Sequence, residues 1–332
     1  MIKTRFVQWL ETRWYEDSVI FWLIPLGFIY QRIIQIRQLL YQHNFLRTEV
    51  LPVPVIVVGN ITVGGTGKTP LIIWMAQYLQ QRGFNPGIIS RGYGGKAKTW
   101  PQVVTANSDC KMVGDEPIVI ARQVSCPIAV GPSRVEDAQL LITDFQCDII
   151  LSDDGLQHYR LGRAIEIAVI DGERGLGNGA CLPAGPLREP RCRLDQVDAV
   201  IVNGLASHDT HNMQMVGGDA INLLTGEKKP LKEFSGIHFH LVAGIGHPQR
   251  FFNTLAEYGV QGEQHVFPDH HYFQLEDINF SDQKPVLMTE KDAVKCNAFA
   301  HESMWYMPIV AKPSTSFVSL FQQLISKKNH NS

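Results

Sequence analysis

Lys68 and Thr69 close the run Val55-Ile-Val-Val-Gly-Asn-Ile-Thr-Val-Gly-Gly-Thr-Gly-Lys-Thr-Pro70, and residue types in that order suit a polyphosphate. A glycine-rich turn after a strand lets backbone N–H groups converge on phosphate oxygens. A Gly-Lys-Thr ending adds an ammonium for the β and γ oxygens and a hydroxyl for Mg²⁺. Thr62, Val63, Gly64, Gly65, Thr66, Gly67, Lys68 and Thr69 make up this glycine-rich turn, which suits a nucleoside triphosphate. A helix beginning near Pro70 would aim its positive end at the same anion. The general eight-residue pattern has a glycine where this chain has Thr62, so the loop is a spacing variant.

A phosphate loop needs a carboxylate for its metal at the end of a neighbouring strand. Asp148-Ile-Ile-Leu-Ser-Asp-Asp-Gly155 offers Asp153 and Asp154 there. His158, just beyond, suits either a substrate phosphate or a hydrogen bond within its own loop. Gly114-Asp-Glu-Pro117 opens a helix; Asp115 is read as an N-cap and also as a carboxylate able to take a proton from an acceptor hydroxyl. The rigid loop Leu182-Pro-Ala-Gly-Pro-Leu-Arg-Glu-Pro190 presents Arg188, whose guanidinium fork matches phosphate oxygens. Arg91, in Ser90-Arg-Gly-Tyr-Gly94, follows a strand end where an anionic ligand would lie. Phe267-Pro-Asp-His-His-Tyr272 reads as a polar loop or an incomplete metal site, and Thr289-Glu-Lys-Asp292 as a nucleotide contact or a helix cap.

These residues need a scaffold. From Val53, short apolar runs at 88–90, 128–130, 148–151, 165–170 and 199–202 alternate with helical patterns at 71–81, 116–123 and 134–145. That rhythm predicts an α/β fold of the P-loop NTPase kind: a mostly parallel sheet with helices on both faces. A polar stretch begins at residue 206, and strand–turn–helix patterns resume at 237–258 and 285–295. The expected organisation is an N-terminal helical segment over 1–50, a kinase core over 51–205 and a smaller α/β C-terminal lobe over 206–332. The first segment is apolar over 18–30 and amphipathic over 33–40, with Trp14, Tyr15, Trp22 and Tyr30 beside Arg13, Arg32 and Arg37. The apolar run falls short of the roughly 20 residues a spanning helix requires. It reads as a membrane-surface helix, with a true span and a helix packed on the domain as alternatives.

A net charge of −2 gives no basic field for a nucleic-acid backbone. Six cysteines without paired spacing suit a reducing compartment rather than a disulfide framework. Nothing in the composition calls for an obligate protein partner. A membrane-associated ATPase or nucleotide switch would share the loop, the paired acids and the apolar helix, but it would hydrolyse ATP without an acceptor. A soluble small-molecule kinase would leave the first fifty residues without a role.

Taken in order, the motifs at 62–70, 90–94, 113–117, 153–158, 182–190, 269–270 and 289–292 resemble tetraacyldisaccharide 4'-kinase, the lipid A 4'-kinase of Gram-negative bacteria. The resemblance covers almost the whole chain, and the Thr62 spacing is shared by that family's variant loop. It implies transfer of the ATP γ-phosphate, with Mg²⁺, to the 4'-hydroxyl of an acylated glucosamine disaccharide 1-phosphate, giving lipid IV-A at the cytoplasmic face of the inner membrane. By similarity Thr69, Asp153 and Asp154 belong to the metal and catalytic centre with Lys68. Asp115 would be the base and His270 its orienting partner, with His271 next door as the alternative. Arg91, Arg188 and His158 fall on the side of the transferred phosphate and acceptor.

Overall fold

The structure, a computed structural model, describes residues 2–16, 20–204 and 211–329. Positions 18 and 19 of the apolar run, 206–210 of the polar stretch and the last three residues lie outside them.

Val55–Gly59 runs through the middle of a nine-stranded sheet. From one edge its strands are 309–313, 211–217, 199–203, 165–171, 55–59, 149–153, 86–90, 128–130 and 102–104. The interior pairings are parallel, while the two edge strands, 309–313 and 102–104, pair antiparallel. Period-two alternation puts Ile56 and Val58 into one core with Leu71, Ile72, Met75 and Phe317, and Val55 and Val57 into another with Val135, Ala138 and Leu141. Both faces are therefore covered by helices, Lys68–Gln80 and Thr315–Asn329 on one side and Arg134–Phe145 on the other.

A second sheet of six strands, in the order 228–229, 220–222, 304–307, 286–289, 238–243 and 261–266, has its own cores around Phe239, Leu241 and Trp305 and around Val242, Met288 and Tyr306. Its span does not coincide with the division expected at residue 206. Strands 211–217 and 309–313 hydrogen-bond into the large sheet, and the last helix packs there through Phe317, Phe321 and Ile325.

The N-terminal segment holds two helices, Ile2–Tyr15 and Ile24–Gln42, joined by a short 3-10 turn at Phe21–Leu23. Leu10, Trp14, Ile20 and Leu23 pack with Ala184 of the Pro/Gly loop. Gly27 is buried against that loop, and Trp14 Nε1 donates to Pro183 O at 3.1 Å. On the opposite side of the second helix, Leu26, Ile29, Ile33, Ile36 and Leu40 form an exposed stripe at helical spacing. Among the described residues no helix is long and apolar enough to cross a membrane.

Candidate active site

Parallel pairing puts Val58 opposite Asp153, so the glycine-rich loop and the paired acids leave the sheet at the same edge. The loop is fastened to the Pro/Gly segment through its backbone: Arg188 N donates to Ile61 O at 2.7 Å and Val63 N to Pro186 O at 2.9 Å. This brings the Arg188 side chain to Asp154, with Nη1 3.0 Å from Oδ2, while Lys68 Nζ lies 3.5 Å from the other carboxylate oxygen and 3.2 Å from Asn60 Oδ1. Burial pushes the Asp154 carboxyl up, but Lys68 and Arg188 outweigh it and hold the group below the usual carboxylate range. Gly67 caps the helix at φ +94°, and a Cβ there would stand 2.5 Å from Met215 Cε and 2.9 Å from Asn203 Nδ2. Asn203 in turn donates to Thr66 O at 3.2 Å, holding the loop from the next-but-one strand.

Asp153 differs from its neighbour. It is fully inside, its Oδ1 has no hydrogen-bond partner, and burial followed by the charge of Glu116 pushes it up to about 7 despite Lys68. A buried carboxyl with a free oxygen, next to a carboxylate held in its ionised form, is an oxygen donor set that suits a hard divalent cation. Mg²⁺ fits these residues.

The second group assembles across the two sheets. Asp115 opens the helix Asp115–Gln123 and is itself buried. Gly114, at φ +89°, lets that helix start against the 90–95 loop, where a Cβ would strike Tyr93 O at 2.5 Å. Asp115 Oδ2 lies 3.0 Å from His270 Nδ1, 3.8 Å from Lys295 Nζ and 4.0 Å from Lys291 Nζ, all from the second sheet's loops. Burial raises the Asp115 carboxyl, but the His270 hydrogen bond and the two lysines leave it net lowered. The same hydrogen bond holds the His270 imidazole above its ordinary value. Tyr93 packs beside His270 with ring centroids 5.7 Å apart. His271 turns away to Asp277 at 2.9 Å and stacks on Phe267, so the histidine that meets Asp115 is His270.

Thr289 caps the turn that carries Lys291: Asp292 N donates to its hydroxyl at 3.2 Å, and buried Asp292 accepts from Gly244 N at 2.7 Å. Lys291 also reaches Glu116 at 3.8 Å and Asp269 at 3.3 Å. Glu116 thus joins the two groups, because its charge is felt at Asp153 and its side chain is paired by Lys291. The sequence reading passed over both side chains, although each stands beside a residue it singled out. It also passed over Arg174, which donates to Gly65 O of the phosphate loop and pairs with Asp171 at 3.3 Å.

His158 is drawn inward with its imidazole pushed down to about 4 by burial and by Arg134 and Arg91. It stays neutral near pH 7 and can offer an uncharged N–H. Arg91 is exposed at the mouth of the 90–95 loop, close enough for its charge to bear on His158.

Residues 19–326 match the family model described as Tetraacyldisaccharide-1-P 4'-kinase. The tetraacyldisaccharide 4'-kinase of Nitrosococcus oceani is 50% identical over 320 residues, 95% of each chain. That of Legionella pneumophila is 46% identical over 309 residues, covering 93% of this chain and 94% of the relative. The crystal structure of LpxK from Aquifex aeolicus in complex with ATP superposes with a TM-score of 0.79 at 27% identity, covering 92% of this chain and 98% of that one. The loop, the paired acids and the cross-sheet carboxylate–histidine pair therefore stand on a chain that belongs to the tetraacyldisaccharide-1-phosphate 4'-kinase family.

Proposed function

We propose that this protein transfers the γ-phosphate of ATP to the 4'-hydroxyl of an acylated glucosamine disaccharide 1-phosphate, with Asp115 as base and His270 holding it in place. One observation carries the reading: the Asp115–His270 pair, 3.0 Å apart, is tied through Lys291 and Glu116 to the acid pair beside the phosphate loop. An ATPase needs no such second carboxylate–histidine centre.

In this reading the loop amides and Lys68 hold the β and γ oxygens while Arg188 meets the outer face of the transferred group. Thr69, Asp153 and Asp154 hold Mg²⁺, which when bound offsets charge on the phosphate oxygens. Asp115, ionised at neutral pH, accepts the sugar hydroxyl proton. His270 donates to Asp115 and fixes the carboxylate's orientation, and its raised pKa favours the charged imidazolium that stabilises the base. Neutral His158 and exposed Arg91 line the acceptor side.

The exposed stripe of Leu26, Ile29, Ile33, Ile36 and Leu40 supports a location on the cytoplasmic face of the bacterial inner membrane. The helix would lie in the lipid surface there, so an acylated substrate reaches the site without leaving the bilayer.

The test is incubation of the protein with γ-labelled ATP, Mg²⁺ and the acylated disaccharide 1-phosphate in detergent micelles. Label on the lipid, absent with Asp115→Ala, is the expected result. Label appearing only as inorganic phosphate overturns it in favour of an ATPase or switch.

A further inference from the structure

The edge of the six-stranded sheet carries a cluster that phosphoryl transfer leaves unused. Strands His238–Ala243 and Gln261–Val266 pair in parallel with Glu263 opposite His240 and His265 opposite Val242. Period two then puts His240, Glu263 and His265 on one face of the sheet. His240 Nδ1 lies 2.9 Å from His265 Nε2 and 3.8 Å from Glu263 Oε2, and the three donor atoms all fall within 4.8 Å of one another.

The protons can be assigned from the partners. Asp282 Oδ1 is 2.8 Å from His240 Nε2, and an ionised carboxylate only accepts, so in the neutral imidazole Nε2 carries the hydrogen and Nδ1 is the acceptor. His265 Nε2–H then donates to that bare nitrogen. Phe280 stacks on the buried His240 ring at 3.7 Å between centroids and lies 4.3 Å from His265, giving the pair an apolar wall. Glu263 stands at the solvent side with 63% of its side chain exposed.

We propose that His240 Nδ1, His265 Nε2 and the Glu263 carboxylate form a binding site for a borderline divalent transition-metal ion of the zinc class. Two imidazoles and one carboxylate with an open fourth position are a zinc donor set. The Asp282–His240 hydrogen bond is the outer contact that fixes a ligating histidine's tautomer and ring orientation. Loading requires two small changes. The shared proton moves to the outer nitrogen of His265, and the inner nitrogens spread from 2.9 Å toward the about 3.3 Å that tetrahedral zinc–nitrogen bonds demand. The nitrogen donors distinguish this cluster from the all-oxygen set at Asp153 and Asp154, so the two sites sort zinc-class ions from Mg²⁺. The ion would cross-link the sheet's edge strand to its neighbour, just ahead of the Phe267–His271 segment that delivers His270.

The experiment uses the full chain, free of any histidine tag and stripped of metal, in excess Mg²⁺ so that the catalytic centre is occupied. Zn²⁺ is titrated by calorimetry, and Co²⁺ is followed by its visible absorption. The expected result is one ion per chain with a tetrahedral cobalt spectrum, lost in His265→Ala and in Glu263→Gln weakened. Asp282→Asn should weaken binding by about 10- to 100-fold through the outer contact alone. Circular dichroism checks that each variant is folded. Should His265→Ala fail to fold, the exposed Glu263→Gln decides. No stoichiometric ion in the wild type, or full affinity retained in the folded variants, overturns the proposal.

Discussion

The phosphate side and the acceptor side of the cleft are built by different rules. On the phosphate side, the loop and Asp154 leave adjoining strand ends of one sheet, and the Pro/Gly segment carrying Arg188 is pinned to the loop by backbone pairing, as at Ile61 with Arg188 and Val63 with Pro186. On the acceptor side, the cationic partners of Asp115 among the described residues come from the other unit: His270, Lys291 and Lys295. The phosphate side keeps one acid, Asp153, with a free buried oxygen suited to a cation, whereas the acceptor side has its acid fully compensated within the protein. Nucleotide capture therefore rests on one rigid edge, and proton removal depends on how two sheets meet.

The sharpest test of this contrast is a pair of variants. Lys68→Ala should weaken ATP binding and lower turnover by roughly 10²–10³-fold. Asp115→Ala should lower kcat by roughly 10²–10⁴-fold with ATP binding unchanged, as measured by nucleotide titration and steady-state rates. Equal damage to ATP binding in both would erase the distinction. A smaller effect is expected for Lys291→Met, which removes a cation from Asp115, Glu116 and Asp269 at once. The Asp115 carboxyl then rises, so the acid limb of the kcat profile moves to higher pH, while the rate at neutrality and KM for ATP change little. An unmoved profile would detach Lys291 from the base.

Asp153 is tested through stability. Burial pushes its carboxyl up to about 7 in the folded chain, from an ordinary aspartate's 3.8, so the fold binds that proton more tightly. The resulting stabilisation is fully present below about pH 4 and is lost as pH rises through 7, by at most ~4 kcal/mol. Without Mg²⁺, wild type should lose stability over that window relative to Asp153→Asn in denaturant melts. Mg²⁺ should restore wild type above pH 7 and leave the variant unaffected. The smallest change in chemistry is expected from Ile33→Glu with Ile36→Glu, placed on the stripe away from both sides of the cleft. Flotation with anionic vesicles should fall, while turnover of micellar substrate stays at the wild-type level.

How much of this was legible in the sequence follows from the range of each interaction. The phosphate loop and the acids after strand 149–153 are local: a strand, a turn and a side chain a few residues apart, and the structure puts them at one sheet edge. The helix over 134–145 likewise shows its bounds through Ser133 at its cap and its apolar spacing. The pairing of Asp115 with His270 spans 155 positions and leaves no local trace, and the same holds for Lys291 with Glu116. The two helices of the first segment read as one apolar stretch because the turn at Phe21–Leu23 is itself apolar. The return of the chain to the large sheet was hidden for a related reason: strand 309–313 is short, sits at the sheet edge, and its pattern resembles that of its neighbours in the other sheet.

That return has a mechanical meaning. Strand 211–217 leaves the large sheet and strand 309–313 comes back antiparallel beside it, paired from Met213 with Pro313 to Gly217 with Ile309 and continued by Gly218 N to Pro308 O at 2.9 Å. The chain enters and leaves the six-stranded unit through this two-stranded ribbon, and the unit is tied to the large sheet's layer a second time where Gln123 meets Glu290 and Arg122 meets Asn297. Arg250 belongs to the helix Pro248–Glu257, whose following Tyr258 donates to Gly217 O of the ribbon at 3.4 Å, and it is held to Asp171 at 2.8 Å. Because Asp171 also receives Arg174, which donates to Gly65 O, a single carboxylate couples a helix of the second unit to the glycine-rich loop.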